Sequence, residues 1–168
     1  MPEHPSFDPS YIPLTTDPTK RHLSGVTAHG HISFSVPFIS QIDGNLWQGG
    51  TASGLTLPDF IENIVTLYPW ESYVLHDHVK SVTSVRMYDS VDQDFSQVDD
   101  IARLVNEKCL EGPTVVLCQA GLNRSSLITT RALMLRGMSA DEAIQLLRQK
   151  RSVACLCNPA FEAWLRSL

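Results

Sequence analysis

Cys118 and Arg124 are separated by Gln119, Ala120, Gly121, Leu122 and Asn123 and followed by Ser125 and Ser126, in the order Cys-x5-Arg-Ser. A thiolate is a strong nucleophile, and a guanidinium offers a planar fork that holds two oxygens of a phosphate at once, which a lysine does less well. Between them, Gly121 permits the positive φ or close backbone approach that a tight loop demands. A loop wrapped at a helix N-terminus points N–H groups inward, and the helix dipole adds positive potential. An anion is then stabilised without a metal, and the same field favours the thiolate form of the cysteine. The chemistry such a stretch could perform is attack of sulfur on the phosphorus of a bound phosphate dianion.

That chemistry needs a strand to deliver the cysteine and a helix to receive the arginine. Thr114 to Leu117 is a short apolar and β-branched run, preceded by the turn signal Gly112-Pro113, and it reads as a buried strand ending at Cys118. Leu127 to Leu135 is compatible with a helix, so the order is strand, loop, helix. Elsewhere, Ile32 to Val36 and Gln41 to Gln48 alternate as strand text does, and NLWQGGTASG ends in a glycine-rich turn, so the stretch reads as a strand and loop. Ile64 to Tyr68 and Val82 to Met87 are further strand candidates, and Leu57-Pro58-Asp59-Phe60 could start a short helix. Ser96 to Leu110 carries apolar residues at helical spacing, with an acidic N-terminal region that the helix dipole favours. Ser139 and Glu142 form a capping box before Ala143, Ile144, Leu146 and Leu147, and the stretch from Asn158 to Leu168 spaces Phe161, Trp164, Leu165 and Leu168 as a helix packing on a core. The βα units around the signature strand predict an α/β fold, a three-layer αβα sandwich with a mostly parallel central sheet and the anion site at a strand's carboxyl end.

CQAGLNRSS resembles the signature loop of the cysteine-dependent protein tyrosine phosphatases, most of all the dual-specificity subgroup, whose usual form is His-Cys-x-x-Gly-x-x-Arg-Ser/Thr. Leu46-Trp47-Gln48-Gly49 is similar to the end of that family's N-terminal strand, and Asn158-x-x-Phe161 to its C-terminal region, so the resemblance runs from about Ile42 to Leu168. One residue departs: Leu117 stands where the family has a histidine that supports the loop. The resemblance implies a protein tyrosine phosphatase-like fold, a phosphoprotein substrate, no cofactor and no metal. Cys118 would be the nucleophile that forms a phosphocysteine, and Arg124 and the backbone of Gln119, Ala120, Gly121, Leu122 and Asn123 would bind phosphate. Ser125 would help the thiolate leave in the second step. The family also carries an aspartic general acid on a loop upstream, here within YDSVDQD, where Asp89, Asp92 and Asp94 compete. Asp89, directly after the strand-like VRMY, matches the family's strand-end placement.

The chain has 18 acidic and 13 basic residues, a formal net charge of −5 with neutral histidines, which argues against bulk affinity for nucleic acid or an anionic membrane. Its length suits a single domain with a substantial core. Residues 1–31, rich in Pro, Ser, Thr and His, read as an extended or partly disordered arm, leaving 32–168 as the catalytic domain. There is no run of 18 apolar residues, and the N-terminus has neither a basic n-region nor an apolar h-region, so the sequence predicts a cytoplasmic protein. Cys109, Cys118, Cys155 and Cys157 fit a reducing compartment, Cys155 and Cys157 as apolar fillers. His29/His31 and His76/His78 could ligate a metal if they lay on strands, but no third ligand is in view and exposed loop histidines are the simpler expectation.

Substrate breadth is the least legible property. No lysine accompanies Gln119, Ala120, Leu122 and Asn123, whereas loops of this superfamily that accept polyphosphoinositides add lysines, so a highly charged inositide is not expected. The short chain shows no obvious segment to build deep walls around the loop, which predicts a cleft shallow enough for phosphoserine and phosphothreonine as well as phosphotyrosine. Two alternatives are an RNA 5′-phosphatase of the same superfamily, because GLNR resembles that branch, and a rhodanese-like sulfurtransferase, whose loop is one residue shorter. An RNA substrate would call for a basic approach to the site, and the stretch from Asp89 to Asp100 is acidic.

Overall fold

A computed structural model describes residues 16–168. The sheet at its centre has five strands in the order β3-β4-β7-β5-β6: β3 (Ile39–Asp43), β4 (Leu46–Gly50), β7 (Thr114–Cys118), β5 (Asn63–Thr66) and β6 (Ser81–Ser84). β4, β7, β5 and β6 are mutually parallel, and β3 turns back antiparallel on β4 through Gly44-Asn45. β7 lies in the middle with every residue buried, as expected of an apolar run paired on both sides. Its side chains alternate between faces. Val116 and Cys118 join one apolar cluster, Val115 and Leu117 the other.

The first cluster is roofed by helices. α1 (Val98–Glu111), α2 (Arg124–Leu135), α3 (Ala140–Lys150) and α4 (Pro159–Arg166) contribute Val98, Ile101, Leu127, Ile128, Ile144, Phe161 and Leu165 to it. Ser139 caps α3 by accepting from the Glu142 N–H at 3.1 Å, and Asn158 caps α4 by accepting from Ala160 N–H at 3.0 Å. The second cluster is covered by residues 51–62 and 67–80, which run as turns. The stretch Leu57 to Phe60 starts no helix there: its neighbourhood is extended, with Leu57 N–H donating to Val74 O at 2.9 Å and Val74 N–H to Leu55 O at 2.8 Å. Those backbone groups are satisfied by a parallel bridge, while Leu55, Leu57 and Ile61 dock on the sheet.

Two further differences from the sequence reading bear on the site. The glycine-rich turn comes later than Gly49-Gly50, which still belong to β4, and both positions need glycine because a Cβ at Gly49 would lie 2.2 Å from Phe38 O and one at Gly50 2.9 Å from Gln119 O. Smooth backbone is what lets the signature loop lie against this strand. The second concerns the arm expected over 1–31. Residues 1–15 lie outside the described residues, but β1 (His22–Val26) pairs antiparallel with β2 (Ser33–Pro37), so a hairpin crosses the boundary expected at 31/32. It is tied down by Phe38 N–H on Arg21 O and Ile39 N–H on Pro18 O, and Ile32 and Phe34 pack on the helical-face cluster. HLSGV carries little apolar alternation because this strand is held mainly by backbone pairing.

Candidate active site

The end of β7 and the start of α2 place Cys118, the loop and Arg124 as the sequence predicts, and the helix begins at Arg124 itself. Gly121 has φ +71°, the left-handed conformation that a side chain resists. Among the described residues, no protein acceptor takes up the backbone N–H groups of residues 119–126, which leaves them free for an anion. Arg124 is 8% exposed; its Nη1 donates to Met87 O at 3.2 Å, its guanidinium sits 5.4 Å from the Tyr68 ring centroid, and its buried Nε has no partner. A buried guanidinium donor with no acceptor is what a site prepared for a phosphate oxygen would show. Cys118 Sγ–H donates to Ser125 Oγ at 3.3 Å, and once the thiol ionises the hydroxyl can donate to sulfur instead.

Asp89, Cys118, Gln119, Ala120, Leu122, Asn123 and Arg124 line one pocket of about 180 Å³. Asp92 and Asp94 do not reach it. They lie exposed on the loop before α1, where Tyr88 N–H donates to Gln93 Oε1 and the Ser96 N–H and hydroxyl hold Asp94 below the usual carboxylate range. Asp89 instead accepts from Asn123 Nδ2 at 3.0 Å and from Asn158 Nδ2 at 2.9 Å. The loop residues divide accordingly. Gln119 is exposed and Ala120 half-buried, whereas the Leu122 side chain belongs to the core and the Asn123 side chain turns toward Asp89 and Cys157.

Leu117, where the resembled family has histidine, packs among Ile64, Val115 and Leu57 and offers the loop no hydrogen bond. The loop is braced by two residues to which the sequence reading gave no role at the site. Gln48 Nε2, fully buried on β4, lies 3.1 Å from Gly121 O, 3.2 Å from Ser125 Oγ and 2.7 Å from Ser126 Oγ. Arg151, just past α3, donates from Nε to Gly121 O (2.7 Å), from Nη2 to Ala120 O (3.1 Å) and Phe38 O, and from Nη1 to Pro37 O and Ser40 Oγ. Burial pushes the Arg151 guanidinium below its ordinary value, and Cys155, Cys118 and Tyr73 pull it back up. Burial likewise raises the Cys155 thiol, consistent with a neutral filler. In sequence, Arg151 ends the run RQKR and looks like one more solvated basic residue; its one signal was a position after the last turn of a helix.

The pocket also has a wall that the sequence reading did not foresee. Val26, Thr27, Ala28 and Phe34 of the β1–β2 hairpin line it together with the loop. The cleft is therefore bounded on that side by a segment N-terminal to the region of resemblance. The histidine pairs have other occupations: His29 Nε2 lies 3.2 Å from Asp89 Oδ1, His31 is exposed in the hairpin turn, and His76 Nε2 contacts Pro58 O at 2.8 Å.

Residues 61–168 match the family described as Dual specificity phosphatase, catalytic domain. A segment of 57 residues is 42% identical to human Protein tyrosine phosphatase type IVA 3, covering 32% of this chain and 33% of that protein, so the match spans a third of this relative's length. Among solved structures, human DUSP28 is similar with a TM-score of 0.66 at 20% identity, over 78% of this chain and 92% of that one. The human tyrosine phosphatase-like serine/threonine/tyrosine-interacting protein is similar with a TM-score of 0.65 at 16% identity, over 77% and 93%.

Proposed function

The chain belongs to the dual specificity phosphatase catalytic-domain family, and we propose that it hydrolyses phosphomonoesters of protein tyrosine, serine and threonine side chains through a phosphocysteine. The observation that carries this reading is the convergence of Cys118, Arg124 and Asp89 on a single pocket at the head of α2. In the first step the Cys118 thiolate forms an S–P bond while the bond from phosphorus to the ester oxygen breaks. That oxygen takes the proton of the Asp89 carboxyl and leaves as the alcohol. Arg124 and the loop N–H groups hold the equatorial oxygens through both steps. In the second, water attacks phosphorus, its proton passes to the Asp89 carboxylate, and the S–P electron pair returns to sulfur, with the Ser125 hydroxyl donating to it. Inorganic phosphate is released.

A pocket of about 180 Å³ is small beside the roughly 300–1,000 Å³ of typical small-molecule sites, which favours a phosphoryl group presented on a larger partner over an enclosed metabolite. The net charge of −5 supports a protein rather than an RNA partner. The test is a parallel assay of phosphotyrosyl peptide, phosphothreonyl peptide, phosphatidylinositol phosphates and 5′-triphosphate RNA, with Cys118→Ser as control. Turnover of both phosphopeptides is expected, retained in EDTA and lost in Cys118→Ser. Undiminished turnover in that variant would remove the covalent mechanism, and a kcat/KM on RNA at least tenfold above every phosphopeptide would replace the substrate class.

A further inference from the structure

Two amide donors and a histidine nitrogen, from separate parts of the chain, converge on the Asp89 carboxylate. Asn123 reaches Oδ2 from the signature loop, and Asn158 reaches Oδ1 from the N-cap of α4. The third is His29, whose Nε2 lies 3.2 Å from Oδ1, with the two side chains 21% and 27% exposed. His29 sits in the turn of the β1–β2 hairpin, outside the region that matches the family.

The turn is built to present this imidazole. Thr27, 6% exposed, donates its hydroxyl to His29 O at 2.6 Å and accepts from Ile32 N–H at 2.9 Å, while Thr27 N–H donates to Ile32 O. Gly30 and His31 take the left-handed conformation, with φ of 79° and 49°, which folds the chain back directly after His29. Val26, Thr27 and Ala28, the residues immediately before His29, line the same pocket as Cys118. The hairpin thus lines one side of the site and brings His29 to Asp89.

We propose that His29 is a positioning residue for the general acid: its Nε2–H donates to Asp89, fixes the carboxyl at the pocket rim, and stabilises the carboxylate left once the proton has passed to the leaving oxygen. This rests on the phosphatase reading above. When the P–O bond breaks, the leaving oxygen gains a proton and Asp89 gains a negative charge. The His29 donor is then a charge-assisted hydrogen bond, stronger than the neutral one it replaces. The benefit is confined to the step in which Asp89 gives up its proton, so it scales with how much the leaving group needs that proton.

The test compares the full chain with His29→Ala, His29→Gln and His31→Asn on two aryl esters, phenyl phosphate with a poor leaving group and p-nitrophenyl phosphate with a good one. His29→Ala should lower kcat on phenyl phosphate about tenfold and change p-nitrophenyl phosphate less than about twofold, with KM unmoved. His29→Gln, whose amide offers an N–H at a similar reach, should recover most of the loss, and His31→Asn should match the parent. In an Asp89→Asn background, His29→Ala should have no further effect. Equal losses on both esters, a full additional loss in the Asp89→Asn background, or an unchanged kcat on phenyl phosphate would each overturn the assignment of His29 while leaving the phosphatase reading in place. A parent chain that turns over neither ester would overturn both.

Discussion

Gly121 carries the strictest steric demand in the signature loop. Its φ of +71° is a conformation that a Cβ makes costly, and that Cβ would also lie 2.4 Å from Gly49 C, 2.6 Å from Gly50 N and 2.7 Å from Arg151 Nη2. The two nearest atoms are backbone and cannot step aside as a flexible side chain would. Left-handed strain of about 1–2 kcal/mol adds to overpacking of about 1–3 kcal/mol. Gly121→Ala is therefore expected to lower stability by at least about 2 kcal/mol in urea unfolding and to remove activity, because the carbonyl that receives both Gln48 and Arg151 must move with it. A variant with parent-like stability would show that the loop relaxes more freely than its contacts imply. At this scale the replacement of the family's histidine by Leu117 finds its answer: the loop carbonyls are held from β4 and from the end of α3 rather than from the residue before the cysteine.

Among elements, the pairing of α1 with α2 steadies the helix whose first residue is Arg124. Arg131 on α2 donates to Asp99 on α1 from Nε at 2.6 Å and from Nη2 at 3.3 Å, and Arg103 approaches the same carboxylate at 3.9 Å. The Arg131 hydrogen bonds are the main reason the Asp99 carboxyl is held below the ordinary carboxylate value. A carboxyl whose folded pKa is depressed contributes stability above its unfolded pKa and loses it as the pH falls through the folded one. Because Asp99 is 37% exposed, solvent screening keeps the contribution to about 0.5–1 kcal/mol. Asp99→Asn should lower stability by that amount at neutral pH, and the difference from the parent should vanish well below the carboxylate range. Urea titrations at the two pH values check this; a gap that persists in acid would assign the loss to packing rather than to charge.

For the whole molecule, the pocket gathers the hairpin, the end of β7, the loop after β6 and the N-terminal end of α2, with β4 and the N-cap of α4 hydrogen-bonded behind it, so an anion there stabilises all of them together. A ligand that binds only the native state at 100 times its Kd adds about 2.7 kcal/mol. For a chain of this length, at about 2–4 °C per kcal/mol, orthovanadate should raise Tm by roughly 5–10 °C. The shift should survive EDTA and be largely lost in Arg124→Ala. A shift that disappears with EDTA would point to a metal-dependent anion site. Among the described residues, no helix is long and apolar enough to cross a membrane.

The strand Thr114–Cys118, the loop and the helix from Arg124 were legible in the sequence because each is set by neighbours in the chain: an apolar run between turn signals, a glycine where positive φ is required, a helix-compatible run after it. The mostly parallel α/β sheet followed from the same local patterns repeated. Tertiary structure alone decided the rest. The place of Asp89 directly after VRMY favoured it in the sequence, but packing is what brought it to the pocket and left Asp92 and Asp94 in solvent. Gln48 and Arg151 reach Gly121 O across 73 and 30 residues of chain, and His29 reaches Asp89 from a hairpin whose first half read as an extended or partly disordered arm. Buried polar partners leave no periodicity of their own: which donor meets which acceptor is set by how sheet, helices and hairpin close on one another.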